Sequence, residues 1–286
     1  MQAAGKRFIW HGSRSDIFRL WNLSDLHMMA KACAEGKLRR DRDEIRDDPF
    51  SIWHGGGDYC DFIGKGDKRF DADAVADWVK VSDLGRLGTV GYRAVRDLLF
   101  PIAGKCMGLI EGNHERHYAL ANEQASLHDW LCTELEAPNL GYSAIYDLVF
   151  CLTTGVRAPR VMQGPPSKSY RRQEFRIFVH HGSGFATTKG GKINRLQNFI
   201  NDFEADVYFM GHVHDQMGTT GTRIGADKDC TKLVEITKPA VISGSYLKTY
   251  AEGVTTYGEQ RGYKPTTLGA AFVTIKPDSR ELHCNS

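Results

Sequence analysis

Five short stretches of this chain set carboxylates or an amide beside imidazoles: Asp25-x-His27, Gly57-Asp58-x-x-Asp61, Gly112-Asn113-His114-Glu115, His180-His181 and Gly211-His212-x-His214. Carboxylate, imidazole and amide oxygen suit borderline to hard divalent ions such as Mn, Fe, Zn or Mg, not thiophilic ones. The donors are too many for one tetrahedral zinc. Two ions sharing a bridging carboxylate would use all of them, and ions about 3.5–4 Å apart clamp a phosphate and generate a nucleophile near neutral pH. Asp58 is the expected bridge, because it follows three glycines (Gly55 to Gly57) at the end of a β-leaning run, Phe50–Trp53. Residues i and i+2 of an extended chain point to the same side. Asp25 with His27, and His212 with His214, can therefore each reach one centre together.

Each motif needs an element to deliver it. Strands are expected at Phe18–Leu23, Phe50–Trp53, Lys105–Ile110, Glu174–Val179 and Asp206–Met210, and each runs into a motif. Sites at the carboxyl ends of strands are the rule in open α/β sheets. Further strands are expected at Arg7–Trp10, Ala144–Thr153, Leu233–Thr237, Ala240–Ser243 and Gly269–Ile275. Helices are expected within Met28–Asp48, Asp71–Val81, Asp83–Phe100, 115–136 and Ile193–Phe203, from apolar residues at helical spacing. The alternating charges of KLRRDRDEIRDD read as a solvated helix face. Residues 155–172 carry three prolines and read as a loop. Gly244 to Pro265 is rich in glycine and tyrosine.

The totals exclude some classes. The chain has 286 residues, 41% apolar and 25% charged, with a net charge of +2. That is ordinary for a globular domain and too balanced for a general nucleic-acid trap. It has no apolar run of about 18 residues, and its first stretch, MQAAGKRFIWHGSRSD, lacks the apolar core expected of a secretory leader. Seven cysteines without a CxxC pair fit a reduced, cytoplasmic protein. Cys60 is expected to pack, and His11, His54, His117, His128 and His283 to be structural.

The ordered set D-x-H, G-D-x-x-D, G-N-H-E, H and G-H-x-H resembles the calcineurin-like metallophosphoesterase superfamily, over Asp25 to His214. The resemblance implies an α/β four-layer sandwich of two mixed β-sheets flanked by helices. It is expected to form a single domain over 1–286, with 215–286 completing the second sheet and a candidate for a lid or an oligomer contact. It implies two divalent metal ions, manganese first. Asp25, His27 and His214 would bind one ion and Asn113, His180 and His212 the other, with Asp58 bridging. His180 is preferred over His181 because it directly follows the strand's apolar run. The resemblance also implies attack by a hydroxide held between the ions, with His114 as general acid and Asp61 hydrogen-bonded to His114.

The substrate is less legible. Phe62 stands where Ser/Thr protein phosphatases of the superfamily carry a phosphate-binding arginine, which counts against that activity. The stretch SKSYRRQEFR, then Lys189, Lys192 and Arg195, pairs basic groups with an aromatic, as a nucleic-acid backbone and its bases would require. A phosphodiesterase acting on DNA or nucleotides is therefore favoured over a phosphomonoesterase or a non-catalytic interaction module. Arg116, His181, Arg171 and Arg172 are the candidate substrate contacts. About 70 residues follow His214, little for a separate DNA-capping domain such as Mre11-type nucleases would need.

Overall fold

A computed structural model describes all residues except 64–69, 123–126, 170, 185, 187, 228 and 286. Twelve strands form two mixed sheets among these residues. The first comprises β1 (Gln2–His11), β5 (Ser143–Leu152), β6 (Arg160–Met162), β7 (Arg171–His180), β8 (Val207–Met210), β9 (Met217–Ala226) and β10 (Leu233–Ile242), in the order β6-β1-β5-β7-β8-β10-β9. The second comprises β2 (Phe18–Leu23), β3 (Ser51–Gly55), β4 (Cys106–Leu109), β11 (Ala271–Lys276) and β12 (Glu281–Asn285), in the order β12-β11-β2-β3-β4.

The sheets face each other across a core that includes Phe18, Leu20, Ile52, Tyr146, Phe150, Phe175, Phe209 and Val273. Helices α1 (Glu35–Asp47), α2 (Leu87–Leu99) and α4 (Leu127–Glu134) cover the outer face of the second sheet, burying Leu38, Ile45, Val95 and Leu131 with Trp53. Helix α5 (Lys189–Asp202) covers the first sheet through Leu196 and Ile200. This is the expected helix–sheet–sheet–helix sandwich. Strands β3 and β8 lie between covered faces and are buried along their whole length, as parallel strands in α/β layers are.

Several elements differ from the sequence reading. Residues Met28–Ala34 are a bridged turn, and α1 begins only at Glu35. Two isolated 3₁₀ turns (Ala72–Ala74 and Val81–Asp83) replace a helix over Asp71–Val81. Within the expected 115–136 helix, α3 (Asn113–Asn122) and α4 are helical and residues 123–126 lie outside the described residues. Strand β7 starts at Arg171, inside the expected loop. Leu233–Ile242 is one strand through Pro239, paired along its length with β9, which sequence patterning missed because its glycines and threonines carry no apolar alternation. The last strands serve both sheets: β9 and β10 the first, β11 and β12 the second.

The topology fixes where chemistry can occur. Strands β2, β3 and β4 run parallel, and so do β7 and β8. All five end at the same rim, and each is followed by one of the five motifs.

Candidate metal centre

The motif residues leave their strands through sharp turns. Asp25, His27, Asp58, His212 and His214 all have positive φ, from 46 to 69°. Non-glycine residues adopt that region at a cost, and such strain is kept where surrounding bonds over-determine it. The expectation that Asp25/His27 and His212/His214 share a side because the chain is extended is therefore corrected. Tight left-handed turns aim them instead. Backbone bonds hold these turns: Asp25 N–H donates to Gly57 O at 2.9 Å and His27 N–H to Asp58 O at 3.1 Å. Gly112 lies against the Asp58 loop so closely that a Cβ there would overlap Asp58 N and Oδ1. Gly112→Ala should accordingly displace Asp58. The expected result is a folded protein by circular dichroism with metal affinity and turnover both reduced, and wild-type values would contradict the packing.

Three groups of donors result among the described residues, each with ligand atoms mutually within 4.8 Å: Asp25, His27 and His214; Asp58, His181 and His212; and His27, Asp61 and His114, which shares His27 with the first. In the first, His214 Nε2 lies 3.2 Å from Asp25 Oδ1 and 3.0 Å from His27 Nε2. In the second, His181 Nε2 lies 3.2 Å from Asp58 Oδ2, and Asn113 Oδ1 lies 3.0 Å from His181 Nε2 and 2.8 Å from His212 Nδ1. Asp58 Oδ1 accepts the His114 N–H at 2.9 Å, so Asp58 reaches from this group toward the third strand end.

These residues fit divalent cations. Three of the inward imidazoles have their second nitrogen on an oxygen acceptor: His27 Nδ1 on Asp61 Oδ1 at 3.1 Å, His181 Nδ1 on Gly56 O at 2.8 Å and His212 Nε2 on Gly184 O at 3.0 Å. A proton held there leaves a lone pair on the inward nitrogen, the tautomer a metal ligand needs. The ring nitrogens of His27 and His214 face each other at 3.0 Å, a spacing that one proton or one shared cation can bridge. Donor spacings of this size match the edges, about 3 Å, of a coordination shell with bonds of about 2.0–2.2 Å.

Electrostatics point the same way. Burial disfavours charge throughout the site. It raises Asp58, but the nearby His181 and His114 outweigh it and hold the carboxylate well below its usual range. Burial lowers His181, but Asp58 and then Asp25 push it up to about 10. A field strong enough to keep a proton on that imidazole favours a cation in its place.

His181, not His180, is the histidine that meets Asp58 and Asn113. The strand's alternation explains the difference: His180 is the last residue of β7 and turns outward, where its Nδ1 accepts the Gly182 N–H at 2.8 Å and its ring packs on Phe199. Burial, then the neighbouring His181, pushes His180 down to about 4. His114 donates from Nδ1 to the Asp61 backbone carbonyl at 2.6 Å, while the Asp61 carboxylate is nearer His27 Nδ1 than His114 Nδ1, which is 3.5 Å away. The expected Asp61–His114 link thus runs chiefly through the backbone, and the carboxylate braces His27.

The candidate substrate contacts separate. Arg171 and Arg172 start β7, whose ten residues put them about 30 Å from the end that carries His181. Arg171 pairs with Asp278 at 2.7 Å and Arg172 bonds Ser169 at 2.9 Å. Neither faces the centre. Tyr170 lies outside the described residues. Lys192 is buried and paired with Asp215 at 3.1 Å, and Arg195 donates to Ser183 O at 2.6 Å. Both hold loops. Arg116 is more than half exposed, 3.6 Å from Glu111. Phe62 is buried between Tyr92 and Tyr118, with ring centroids at 5.4 and 4.8 Å, so that position serves the core rather than a phosphate.

One residue of the motifs was given no task from sequence. Glu115 is buried, and its carboxylate accepts the N–H groups of Asp58 and Gly112 at 3.0 Å each, of Cys60 at 3.3 Å, and of Tyr59. It ties the Asp58 loop to the Asn113 loop. Burial and the Asp58 charge push Glu115 up to about 7, while its amide donors favour the carboxylate. With every donor aimed at an oxygen, the ionised form is the one this geometry serves.

Two mixed sheets between helices, with the five motifs at one rim, are the architecture that the sequence resemblance implies. No protein-family model matches it. No curated protein matches it either. Solved structures similar to it include an anchor protein of the Plasmodium inner membrane complex, at 11% identity and TM-score 0.43 over 91% of this chain and 81% of that one. A metallophosphoesterase from Sphaerobacter thermophilus is similar at 14% identity and TM-score 0.37, over 94% and 89%. The NAD nucleotidase of Haemophilus influenzae is similar at 10% identity and TM-score 0.39, over 94% of this chain but 49% of that one. Among the described residues no helix is long and apolar enough to cross a membrane.

Proposed function

We propose that the chain is a hydrolase of phosphoric esters that works with two divalent cations, and that a phosphodiester of a nucleotide or nucleic acid is its substrate. The observation that carries the reading is the pair of largely buried donor groups, Asp25/His27/His214 and Asp58/His181/His212, brought together at one rim by four strand ends. Asn113 Oδ1 belongs with the second group, and Asp58 of that group is the carboxylate we assign to bridge the two cations. His181 replaces His180 in the ligand set. Two cations bound there would supply positive charge for the phosphate oxygens and a nucleophile at neutral pH.

The chain's own residues supply the rest. His114 stands beside the first group, its ring 4.9 Å from that of His27. Its Nδ1 proton is held on the Asp61 carbonyl, and in the imidazolium, which burial disfavours but the Asp58 and Asp61 charges favour more, Nε2 carries the second proton to deliver to a leaving-group oxygen or to donate to a phosphate oxygen. Asp61 fixes the His27 ring through Nδ1.

The test is turnover of bis-p-nitrophenyl phosphate, p-nitrophenyl phosphate and single-stranded DNA by the purified protein with Mn²⁺, beside elemental analysis of bound metal. Turnover of the diester with bound metal is expected. Turnover of the monoester alone would make the chain a phosphomonoesterase, and no turnover without bound metal would remove the enzymatic reading. The ligand assignment has its own test. His181→Asn should lower turnover by more than the roughly 10–100-fold that losing an outer partner of a ligand costs, whereas His180→Asn should leave it within about threefold. The reverse ranking would return the ligand role to His180.

A further inference from the structure

A second feature lies on the same rim. A cavity of about 490 Å³ opens beside the first turn of α1, with Lys31, Lys37, Arg40, Trp78 and Lys248 among its lining residues. Its position follows from topology: α1 is the crossover after β2, so it begins at the carboxyl end of that strand, where Asp25 sits. Two backbone bonds tie the wall to the metal centre. Ala34 N–H donates to Tyr246 O at 2.7 Å, and Tyr246 N–H donates to Asp25 O at 2.9 Å.

The charges of the cavity do not cancel locally. Lys31 is paired with Asp77 at 3.3 Å, and Lys37 with Asp41 at 2.5 Å. Glu35 is engaged by Arg39 at 3.2 Å and by the Trp78 indole N–H at 2.8 Å. Arg40 folds back over Gly36, and neither it nor Lys248 has an acidic partner among the described residues. Trp78 keeps 37% of its surface exposed at the cavity wall, anchored through its N–H with ring surface available for stacking. Two cations without counter-charges beside a fixed, half-exposed indole are the parts that recognise a phosphate with an aromatic base attached.

We infer that this cavity seats a nucleotide unit of the substrate outside the scissile ester, with its phosphate on Arg40 and Lys248 and its base against Trp78. The inference rests on the phosphoesterase reading for the word substrate, and on the cavity alone for binding. It predicts that a single strand of nucleic acid runs from the centre toward α1, away from the far end of β7, where Arg171 and Arg172 lie.

Binding of a fluorescein-labelled single-stranded DNA, measured by anisotropy in EDTA, tests the cavity without activity. Turnover of the same strand and of bis-p-nitrophenyl phosphate, with Mn²⁺, tests its link to the centre. Arg40→Gln/Lys248→Gln should weaken DNA binding about tenfold or more and lower the slope of log K against log salt by roughly 0.7 per lost phosphate contact. Trp78→Ala should weaken binding without changing that slope. Both variants should raise KM for DNA while leaving kcat, and all turnover of the small diester, unchanged. Unaltered DNA affinity in both variants would overturn the inference. Equal loss on DNA and on the small diester would overturn it too, because the side chains would then act through the fold. If the wild type hydrolyses neither ester, the proposed function fails, and the binding arm alone still decides the cavity.

Discussion

Replacing Asp58 by asparagine should abolish turnover of every phosphoester and strip most bound divalent metal from the protein, while the fold survives. The carboxylate is 2% exposed, and its two oxygens have different partners. Oδ1 accepts the His114 N–H, and Oδ2 faces His181 Nε2 at 3.2 Å. Asparagine keeps the shape and can keep the bond to His114. It would then present an NH₂ to His181 and remove one negative charge from a buried cluster of four histidines and two aspartates. Outer partners of metal ligands typically cost 10–100-fold in affinity or activity. A carboxylate that itself belongs to a donor group should cost more than about 100-fold by that scale. Metal content by elemental analysis, with circular dichroism as the control for folding, decides the matter. A folded Asp58→Asn protein with full metal content and full turnover would show that the centre lies elsewhere.

The parts of this site that were legible in the sequence are those where chemistry forces residue type. Donor identity at Asp25, His27, Asp58, Asn113, His212 and His214 cannot be relaxed without changing which ions the site accepts, so the motifs stand out from any background. Strand ends were legible for a related reason: the apolar runs before Ser24, Gly56 and Gly211 are buried on both faces and stop where the polar motif begins. What failed was parity. Choosing between His180 and His181 requires knowing which face of β7 the last strand residue presents, and a shift of one residue reverses every side chain. The basic stretch at Arg171 and Arg172 failed for another reason. Nearness in sequence to His181 becomes a full strand length of separation once the segment is extended. The left-handed turns at Asp25 and Asp58 were invisible because aspartate, though more tolerant of that region than most residues, adopts it only in a minority of places, and here tertiary bonds to Gly57 and Glu115 decide it. The cavity beside α1 draws on Lys31, Trp78 and Lys248, more than 200 residues apart in the chain at the extremes, and no local pattern joins them.

Glu115→Gln should show how much of the site is backbone held in place by a single side chain. Each Glu115 oxygen accepts from two amides, Oε2 from Asp58 and Gly112 and Oε1 from Tyr59 and Cys60. Glutamine has one acceptor oxygen and an NH₂ that only donates. Whichever way it turns, one pair of buried N–H groups faces donors instead of an acceptor. An unsatisfied buried group costs about 1–3 kcal/mol, so the pair should cost roughly 2–6 kcal/mol if the loops stay where they are. The alternative is that the loops move apart, which spares stability and moves Asp58 away from Asn113. Thermal unfolding and metal affinity separate the two outcomes. A large fall in melting temperature with near-normal metal affinity would mean a rigid frame. Near-normal stability with metal affinity lowered tenfold or more would mean that the loops yield and that Glu115 acts as a positioning residue for Asp58. The second is expected, because Tyr59 and Cys60 belong to a turn with φ strain at Asp58 that would relax on release. Glu115→Asp, which keeps the charge and both acceptors on a shorter stem, should recover part of the affinity. No loss in either quantity with glutamine would mean that the amide bonds to Glu115 do not hold the loops.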